Sequence, residues 1–233
     1  MELPARGIFN RTEKKYIITQ QQADELMPVL LRHMHGDKNG KSTVCSMYFD
    51  TPDMRVIRAS IDAKAYKEKL RVRCYGVPTA QTRTFVELKK KYLGVVYKRR
   101  FEMTYGDAMA FLVNGEPGPD TQMGREVEYF LRFYPGIRPA IDIFCERLAL
   151  FGNDDENLRV TFDSDLRYRM SRLDLSRGTD GEPIIPANKL IMEIKTSTSM
   201  PVWLTGAIDE LHIYPQKFSK VATAFTNELE KRR

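Results

Sequence analysis

Basic and apolar side chains alternate in the segment KEKLRVRCYG, residues 67–76. Successive side chains of a β-strand point to opposite faces, so a strand here would carry one apolar and one cationic face. The cationic face would contain Lys67, Lys69, Arg71 and Arg73. A row of guanidinium and ammonium groups can bind phosphate oxygens, so a wall that binds a polyanion is one interpretation. A strand with its charged face in water is the other, and this segment alone favours neither.

The same alternation recurs in four further segments. The ionic positions are Glu87, Lys89 and Lys91 in TFVELKKKY; Lys98, Arg100 and Glu102 in VVYKRRFEM; Arg159, Thr161, Asp163 and Asp165 in LRVTFDSDL; and Glu193 and Lys195 in KLIMEIKT. Each of these strands would therefore have one ionic and one apolar face.

Two arrangements of such strands fit the pattern. In an open sheet the apolar faces would meet helices and the ionic faces would meet water. In a closed barrel the ionic faces would line the interior, and closure would remove the exposed sheet edges. The excess of cations over isolated acids favours the barrel. Because buried cations without partners are too costly, its interior would hold water, carboxylates or a slender polyanion such as triphosphate or polyphosphate.

The elements that must position these residues are strands, with helices at the start, middle and end of the chain. Residues 11–19 predict a first strand, and residues 19–34 predict a helix capped by Thr19. Further helices are predicted around GDAMAFLVN, GREVEYFLRFY, PVWLTGAIDELHIY and KFSKVATAFTNELEK. About eight strands with these helices predict an α+β domain built around an antiparallel sheet. No repeat or Gly/Ser linker divides the chain, so we predict a single domain over residues 1–233.

Composition restricts the class of protein and its partners. The 233 residues are 42% hydrophobic and 29% charged, which is typical of a globular protein with a real core. The net charge of +6 favours an anionic partner. Three widely spaced cysteines without a CxxC pair argue against a disulfide scaffold or zinc site and favour a reducing compartment. No signal peptide or membrane-spanning apolar run is found, so we expect a cytoplasmic protein.

The segment YPQKFSK near the C-terminus carries two lysines three positions apart. Lys217 and Lys220 are predicted to open the last helix, at the end where the helix dipole disfavours cations. The two ammonium groups are either solvated or, together with helix N–H groups, converge on a phosphate.

Nine segments resemble, in order, the VTC domain, the polyphosphate polymerase module of the triphosphate tunnel metalloenzyme (CYTH-like) superfamily. The segments are RTEKKYIIT, SMYFDTPDMRVIR, KLRVRCYG, FVELKKK, YKRRFE, CERLALFG, LRVTFDSDL, IMEIKT and PQKFSK. The resemblance extends from about residue 7 to residue 228. It implies a closed eight-stranded antiparallel β-barrel, a tunnel with a basic interior and flanking helices.

The resemblance also implies roles for individual residues. Catalytic positions along the tunnel match Arg71, Arg73, Lys89, Lys98, Arg147 and Arg159, and substrate-binding positions match Lys15, Arg58, Lys217 and Lys220. Glu193 matches the acid that holds a divalent metal, Mn²⁺ or Mg²⁺. Glu13 and Glu87 are further metal candidates, followed by Asp163.

One departure from the superfamily pattern indicates which branch of the superfamily the chain resembles. Tunnel triphosphatases generally open with ExExK, whereas this chain has Arg11, Glu13 and Lys15 at the corresponding positions. The cation in place of the first acid favours the VTC branch over thiamine triphosphatases and adenylate cyclases. Yeast-type VTC proteins also carry an SPX domain and membrane helices. Neither is found here, so the chain resembles the free-standing prokaryotic form.

The resemblance implies metal-dependent transfer of the ATP γ-phosphoryl group to a growing polyphosphate chain. Hydrolysis of triphosphate or polyphosphate at the same site is an alternative, and a non-catalytic polyphosphate-binding module is another. The expected partners are ATP and inorganic triphosphate or polyphosphate. A nucleic acid is not expected, because acids spaced among the cations would repel a phosphate backbone on an open face. A membrane-protein partner is left open.

Overall fold

The computed structural model describes residues 12–38, 40–62, 65–93, 95–197 and 199–232. These residues form an antiparallel sheet with flanking helices. The strands are β1 Thr12–Thr19, β2 Met34–Gly36, β3 Ser42–Asp50, β4 Tyr66–Tyr75, β5 Arg83–Tyr92, β6 Val95–Thr104, β7 Arg138–Gly152, β8 Arg159–Arg169, β9 Glu182–Pro183 and β10 Lys189–Thr196. The helices are α1 Gln20–His33, α2 Arg55–Asp62, α3 Tyr105–Val113, α4 Gln122–Phe133, α5 Val202–Glu210 and α6 Lys220–Lys231, with a 3-10 turn at Leu175–Arg177. The predicted α+β class is confirmed.

The strand order corrects the predicted closure. It is β1-β10-β8-β7-β3-β4-β5-β6, with β2 beside β7 and β9 beside β8. Among the described residues β1 and β6 are the two ends of this order and do not pair with each other. The closed eight-stranded barrel is therefore wrong, and the fold is an unclosed sheet of ten strands. Charged side chains along an edge strand discourage pairing with another strand, and β6 carries three consecutive cations, Lys98, Arg99 and Arg100.

The chain divides into two compact units. The first unit contains the described part of residues 1–41, with 147–164 and 185–218. The second unit contains residues 42–146, 165–184 and 219–233 as far as they are described. The single domain expected from the sequence stays a prediction.

Each unit has its own apolar core. In the first unit, one face of β1, β8 and β10 packs with α1 and α5; the core includes Tyr16, Ile18, Leu26, Leu30, Val160, Met192 and Leu204. In the second unit, one face of β3, β4 and β5 packs with α2, α3 and α4; the core includes Met47, Phe49, Val56, Leu70, Val72, Val86, Leu88, Phe111 and Phe130. The apolar positions of the alternating strands therefore face helices, as the pattern predicted.

Three helix starts illustrate how local sequence determines the elements. Thr19 caps α1 as predicted, in a capping box in which the Gln22 N–H donates to Thr19 Oγ1 at 3.1 Å and the Thr19 N–H donates to the Gln22 side chain at 3.0 Å. Helix α2 was not predicted; its first turn is held by the buried Asp50 carboxylate, which accepts backbone N–H groups of the helix at 2.7 and 2.8 Å. Helix α6 begins at Lys220 with Ser219 as N-cap. The prediction that Lys217 also opens this helix is wrong.

No helix in the described part of the chain combines the length and apolar character that crossing a membrane requires.

Candidate functional site

The second unit carries a cationic face, which we define as the face of β4, β5 and β6 opposite the apolar core. It contains Lys69, Arg71, Arg73, Glu87, Lys89 and Lys98. Cross-strand register aligns its residues: Arg71 lies opposite Tyr48 of β3 on one side and Glu87 of β5 on the other. The three strands bring together four of the six predicted catalytic residues.

Glu87 binds two of these cations. Its Oε2 accepts from Arg71 Nε at 2.6 Å, and its Oε1 lies 2.6 Å from Lys98 Nζ. The side chain is only 2% exposed. Burial raises the pKa of this carboxyl, but the positive charges of Arg71, Arg73 and Lys98 lower it by more, so that the pKa is about 2. Both carboxylate oxygens are therefore engaged by cations, and Glu87 links Arg71 to Lys98; its role as a metal ligand stays a prediction.

Tyr48 of β3 borders this face, opposite Arg71, and the sequence reasoning missed it. Its phenol oxygen accepts a hydrogen bond from Arg71 Nη1 at 2.9 Å, and the Arg71 guanidinium lies 5.7 Å from the ring centroid. Burial raises the pKa of Tyr48, but the positive charges of Arg71, Arg73 and Lys69 lower it by more, to about 8. Its place opposite Arg71 depends on strand register, which an aromatic residue in a β-segment does not reveal.

The remaining cations of this face have different surroundings. Arg73 Nε donates to Ser46 Oγ of β3 at 3.2 Å, and its side chain is half-buried. Lys89 lies directly between Lys69 and Lys98 in the strand register. Burial lowers the pKa of the Lys98 ammonium, although Glu87 opposes this shift. The cationic face thus combines one fixed guanidinium fork with several lysines.

The first unit carries a separate cluster of two carboxylates and two lysines on β1 and β10. Lys15 Nζ lies 3.5 Å from both Glu13 Oε1 and Glu193 Oε1. Lys195 Nζ lies 3.8 Å from Glu13 Oε2 and 3.2 Å from Glu193 Oε2. Each lysine therefore contacts both carboxylates, which places Glu13 and Glu193 next to each other.

Two predicted arginines belong to the first unit, Arg147 on β7 and Arg159 on β8. Arg147 binds Asp163 through two hydrogen bonds of 2.6 and 2.7 Å, and Asp163 is fully buried. Both Asp163 oxygens accept from Arg147, so Asp163 holds the arginine in place; its role as a metal ligand stays a prediction. Arg159 lies opposite Lys195, and its guanidinium lies 4.9 Å from the centroid of the Phe151 ring.

The first-unit cluster offers oxygen donors that fit a hard divalent cation. Thr161 lies opposite Glu193 in the register, and its buried hydroxyl has no hydrogen-bond partner within the described part of the chain. The described residues contain no group of three or more His, Cys, Asp or Glu side chains arranged for a metal. Mg²⁺ needs only one or two protein carboxylates when phosphate oxygens and water complete its shell. Glu13 and Glu193, with the Thr161 hydroxyl, could therefore hold Mg²⁺ or Mn²⁺ together with a phosphate ligand.

The family model of the VTC domain matches residues 10–227. The chain belongs to the VTC domain family. The resemblance inferred from the nine segments is confirmed. No curated protein matches this VTC domain.

Solved structures with the same fold include three whose sequences differ widely from this VTC domain. A proposed adenylate cyclase from Bacillus halodurans has a TM-score of 0.56 at 10% identity, covering 89% of this chain and 92% of that one. One from Vibrio parahaemolyticus has a TM-score of 0.52 at 11% identity, covering 91% and 96%. A proposed adenylyl cyclase from Hippeastrum, described as having a dominant triphosphatase activity, has a TM-score of 0.51 at 15% identity, covering 92% and 95%. At these identities the likeness establishes the fold alone.

All four predicted substrate-binding residues of this VTC domain lie outside the cationic face. Arg58 is exposed on α2, where its guanidinium lies 5.8 Å from the Phe225 ring centroid of α6. Lys217 precedes α6, and Lys220 is the first residue of that helix. The fourth, Lys15, belongs to the first-unit cluster and donates to the Phe218 carbonyl at 3.4 Å. Arg11, the departure from the ExExK pattern, lies outside the described residues.

The three histidines occupy positions that suit structural roles. His33 stacks on Trp203 with ring centroids 4.2 Å apart. The His35 ring nitrogen Nδ1 lies 2.8 Å from the Asn153 side-chain oxygen. His212 follows α5 in a left-handed backbone conformation with φ of 51°. None of these contacts involves a residue of the cationic face or of the first-unit cluster.

Proposed function

We propose that this VTC domain is a metal-dependent phosphotransferase that transfers the ATP γ-phosphoryl group to a growing polyphosphate chain. Membership of the VTC family supports a reaction of triphosphate or polyphosphate. The single observation that carries the proposal is the cationic face, on which a buried carboxylate fixes a half-buried arginine and a lysine. Such an arrangement matches the demands of phosphoryl transfer, because catalysis there consists mainly of positioning and of neutralising charge.

The roles we propose follow from the chemistry of the side chains. Arg71 and Arg73 present guanidinium groups, which bind phosphate oxygens through two parallel hydrogen bonds. Lys89 and Lys98 act as point charges along the phosphate chain. We assign Glu87 to positioning, since it holds Arg71 and Lys98 and its low pKa keeps it charged at every working pH. Arg147 and Arg159 of the first unit are proposed to contact phosphate as well.

We propose Glu193 and Glu13 as the residues that hold Mn²⁺ or Mg²⁺. A bound divalent cation would supply Lewis-acid polarisation and charge neutralisation of phosphate oxygens. Lys15 and Lys195 already bring positive charge to both carboxylates at 3.2 to 3.8 Å, so a cation must compete with them. We therefore expect metal to bind more tightly when phosphate oxygens complete its coordination.

Hydrolysis is the second candidate function. The similar structure from Hippeastrum is described as having a dominant triphosphatase activity, and a water acceptor would need no further protein group. The same cationic face would then stabilise triphosphate while water attacks. A non-catalytic module that only binds polyphosphate is the third possibility.

Product analysis separates the three candidates. The purified protein is incubated with ATP and Mg²⁺ or Mn²⁺, and the products are resolved as polyphosphate and orthophosphate. Long-chain polyphosphate with ADP is expected. Orthophosphate without polymer would replace transfer by hydrolysis. Binding of tripolyphosphate without turnover of ATP, tripolyphosphate or polyphosphate under either metal would overturn both enzymatic proposals.

A further inference from the structure

The hairpin of β5 and β6 in the second unit ends in five exposed side chains that are aliphatic or aromatic. Tyr92 ends β5, Leu93 follows it, and β6 begins with Val95, Val96 and Tyr97. Four of them are about half exposed, and Leu93 is 69% exposed. We call these five residues the hairpin tip. Single exposed apolar residues are ordinary on a protein surface, but a group of them at one end of a hairpin is typical of a binding surface.

The hairpin tip is apolar on both faces of the two-stranded ribbon. Val96 lies opposite Lys91 and shares its face, whereas Tyr92 and Val95 are paired on the other face. A folded partner protein that docked on one face would leave the apolar side chains of the other face in water. A lipid layer that surrounds the end of the hairpin would cover both faces.

Leu93 occupies a backbone conformation that does not suit its side chain. Its φ is 44°, in the left-handed region, and its N–H donates to the Ala65 carbonyl at 2.9 Å. Tight hairpin turns favour Asn, Asp or Gly at such a position, because a larger side chain is strained there. Leu93 is also mostly exposed, so it contributes little to the core. Neither local conformation nor burial accounts for a leucine here, which points to a role in binding.

Positive charge surrounds the hairpin tip. Three cations precede it and three follow it: Lys89, Lys90, Lys91, Lys98, Arg99 and Arg100. The charged residues that face or pair with these six are Lys67, Glu68, Lys69, Glu87, Glu102 and Glu126. Together these two sets contain eight cations and four acids. A second copy of the chain would bring the same excess of positive charge, so the complementary partner is an anionic surface.

We propose that the hairpin tip inserts into the interfacial layer of an anionic lipid membrane, with the neighbouring cations against the lipid headgroups. Tyrosine rings favour the interface between water and lipid, and leucine and valine favour the boundary with the acyl chains. Cations near an anionic leaflet add an electrostatic attraction. A soluble polyanion would pair with the cations but leave the apolar side chains in water. This inference goes beyond the proposed function and does not depend on it, because that function assigns no role to the five tip residues.

Sedimentation with lipid vesicles tests the proposal. The purified protein is mixed with vesicles of phosphatidylcholine alone or of phosphatidylcholine with phosphatidylglycerol, and the bound fraction is measured against lipid concentration. We expect binding to the vesicles that contain phosphatidylglycerol and little binding to phosphatidylcholine alone. Added salt should weaken the binding, because it screens exposed charges.

Leu93→Asn tests the apolar contribution without straining the turn. Asn suits the left-handed conformation, so the unfolding temperature should not fall. Binding to the anionic vesicles should weaken about tenfold, the scale expected when one leucine side chain is no longer removed from water. Val202→Asn is the matched control, because it removes an aliphatic side chain that is 88% exposed on α5. Its vesicle binding should equal that of the unaltered protein.

Lys91→Gln tests the electrostatic contribution. It should weaken binding to the anionic vesicles about fivefold, the contribution of one cation near an anionic surface. Lys38→Gln, at an exposed lysine after β2, changes the net charge equally and should have a much smaller effect.

Three results would overturn the proposal. The first is that the unaltered protein does not sediment with the anionic vesicles. The second is that Leu93→Asn binds them as tightly as Val202→Asn, which would assign the binding to the cations alone. The third is self-association that Leu93→Asn abolishes, without vesicle binding, which would identify a second copy of the chain as the partner of the hairpin tip. None of these results bears on the phosphotransferase activity.

Discussion

At the scale of single residues, Arg71 and Arg73 occupy equivalent positions on β4 but differ in what depends on them. Arg71 and Lys98 both pair with the Glu87 carboxylate, which is 2% exposed, whereas the Arg73 guanidinium donates to the Ser46 hydroxyl. Removing one partner of a buried ion pair leaves the other charge poorly compensated. Removing the donor to an uncharged hydroxyl, even the buried one of Ser46, leaves a smaller deficit because no charge loses its counter-charge. The two arginines should therefore separate stability from phosphate binding.

We expect Arg71→Ala to lower the free energy of unfolding by about 3 kcal/mol, because Glu87 would lose one of its two direct ion-pair partners and keep Lys98. Arg73→Ala should lower it by less, about 1 kcal/mol, because it breaks a hydrogen bond to an uncharged hydroxyl. Both variants should lose turnover and phosphate binding. Urea unfolding monitored by circular dichroism, together with the turnover assay, measures the difference. Arg132→Ala, an exposed arginine on α4, serves as control; equal stability losses for Arg71→Ala and Arg73→Ala would contradict the assignment of Glu87.

Tyr48 should give the cationic face a measurable titration near neutral pH. Its pKa of about 8 in the folded protein lies below the usual value of about 10 for an unfolded tyrosine. Between these values the unfolded chain binds more protons, so the contribution of Tyr48 to stability grows as pH rises from 8 to 10 and is lost as pH falls through 8. The measurement is phenolate absorbance of the native protein against pH.

Tyr48→Phe should remove the absorbance transition near pH 8, whereas Tyr97→Phe, at a tyrosine that is 54% exposed on β6, should leave it in place. Superimposable titration curves for the unaltered protein and Tyr48→Phe would show that the phenol does not respond to the surrounding cations. Tripolyphosphate should shift the transition to higher pH, because an anion beside Tyr48 disfavours the phenolate.

At the scale of elements, the alternating pattern identified the faces of the strands but not their partners. Alternation is a property of one strand, so KEKLRVRCYG sufficed to predict that Arg71 and Arg73 share a face. The alignment of Lys69 with Lys89 depends on register, which the turn and the packing between two strands determine together. Helix α2 was missed because its first turn is held by the Asp50 carboxylate, and the periodicity of apolar residues does not reveal such a contact.

Whether the sheet closes into a barrel could not be predicted from the alternation of charged and apolar residues. Whether a sheet closes depends on the number, stagger and edges of its strands, and alternation of charge is compatible with either outcome.

The surroundings of the predicted metal ligands could not be predicted either. Glu87, Glu193 and Glu13 look alike in sequence, yet Glu87 has both oxygens bound by cations at short distance, whereas Glu13 and Glu193 share two lysines at 3.2 to 3.8 Å.

Edge strand β6 exposes apolar side chains beside its cations. Val95, Val96 and Tyr97 are each about half exposed, and Arg99 follows them at 44% side-chain exposure. Charged side chains on an edge strand prevent pairing with a second molecule. Arg99→Val should therefore cause concentration-dependent association, measured by size-exclusion chromatography with light scattering. Arg132→Val on α4 should not, and a monomeric Arg99→Val protein at high concentration would show that other features protect this edge.

At the scale of the whole molecule, the proposed reaction depends on a divalent cation. We expect turnover to fall to background in excess EDTA and to recover when Mg²⁺ or Mn²⁺ is added. Glu193→Gln should raise the metal concentration required for half-maximal turnover by tenfold or more, because it removes one of two proposed carboxylate ligands. Glu228→Gln on α6 is the charge-matched control. Full turnover in EDTA would contradict the role proposed for Glu193.

The division of the chain into two units has a consequence for its synthesis. Each unit is assembled from three separate stretches, and the last stretch of the first unit, residues 185–218, follows most of the second unit in the sequence. A growing chain therefore cannot complete the first unit before residue 218 has been made, nor the second before the final helix. Contacts between such distant stretches slow folding, so the cores of both units must wait for late parts of the chain. Neither unit corresponds to a contiguous fragment that could be excised and expressed by itself.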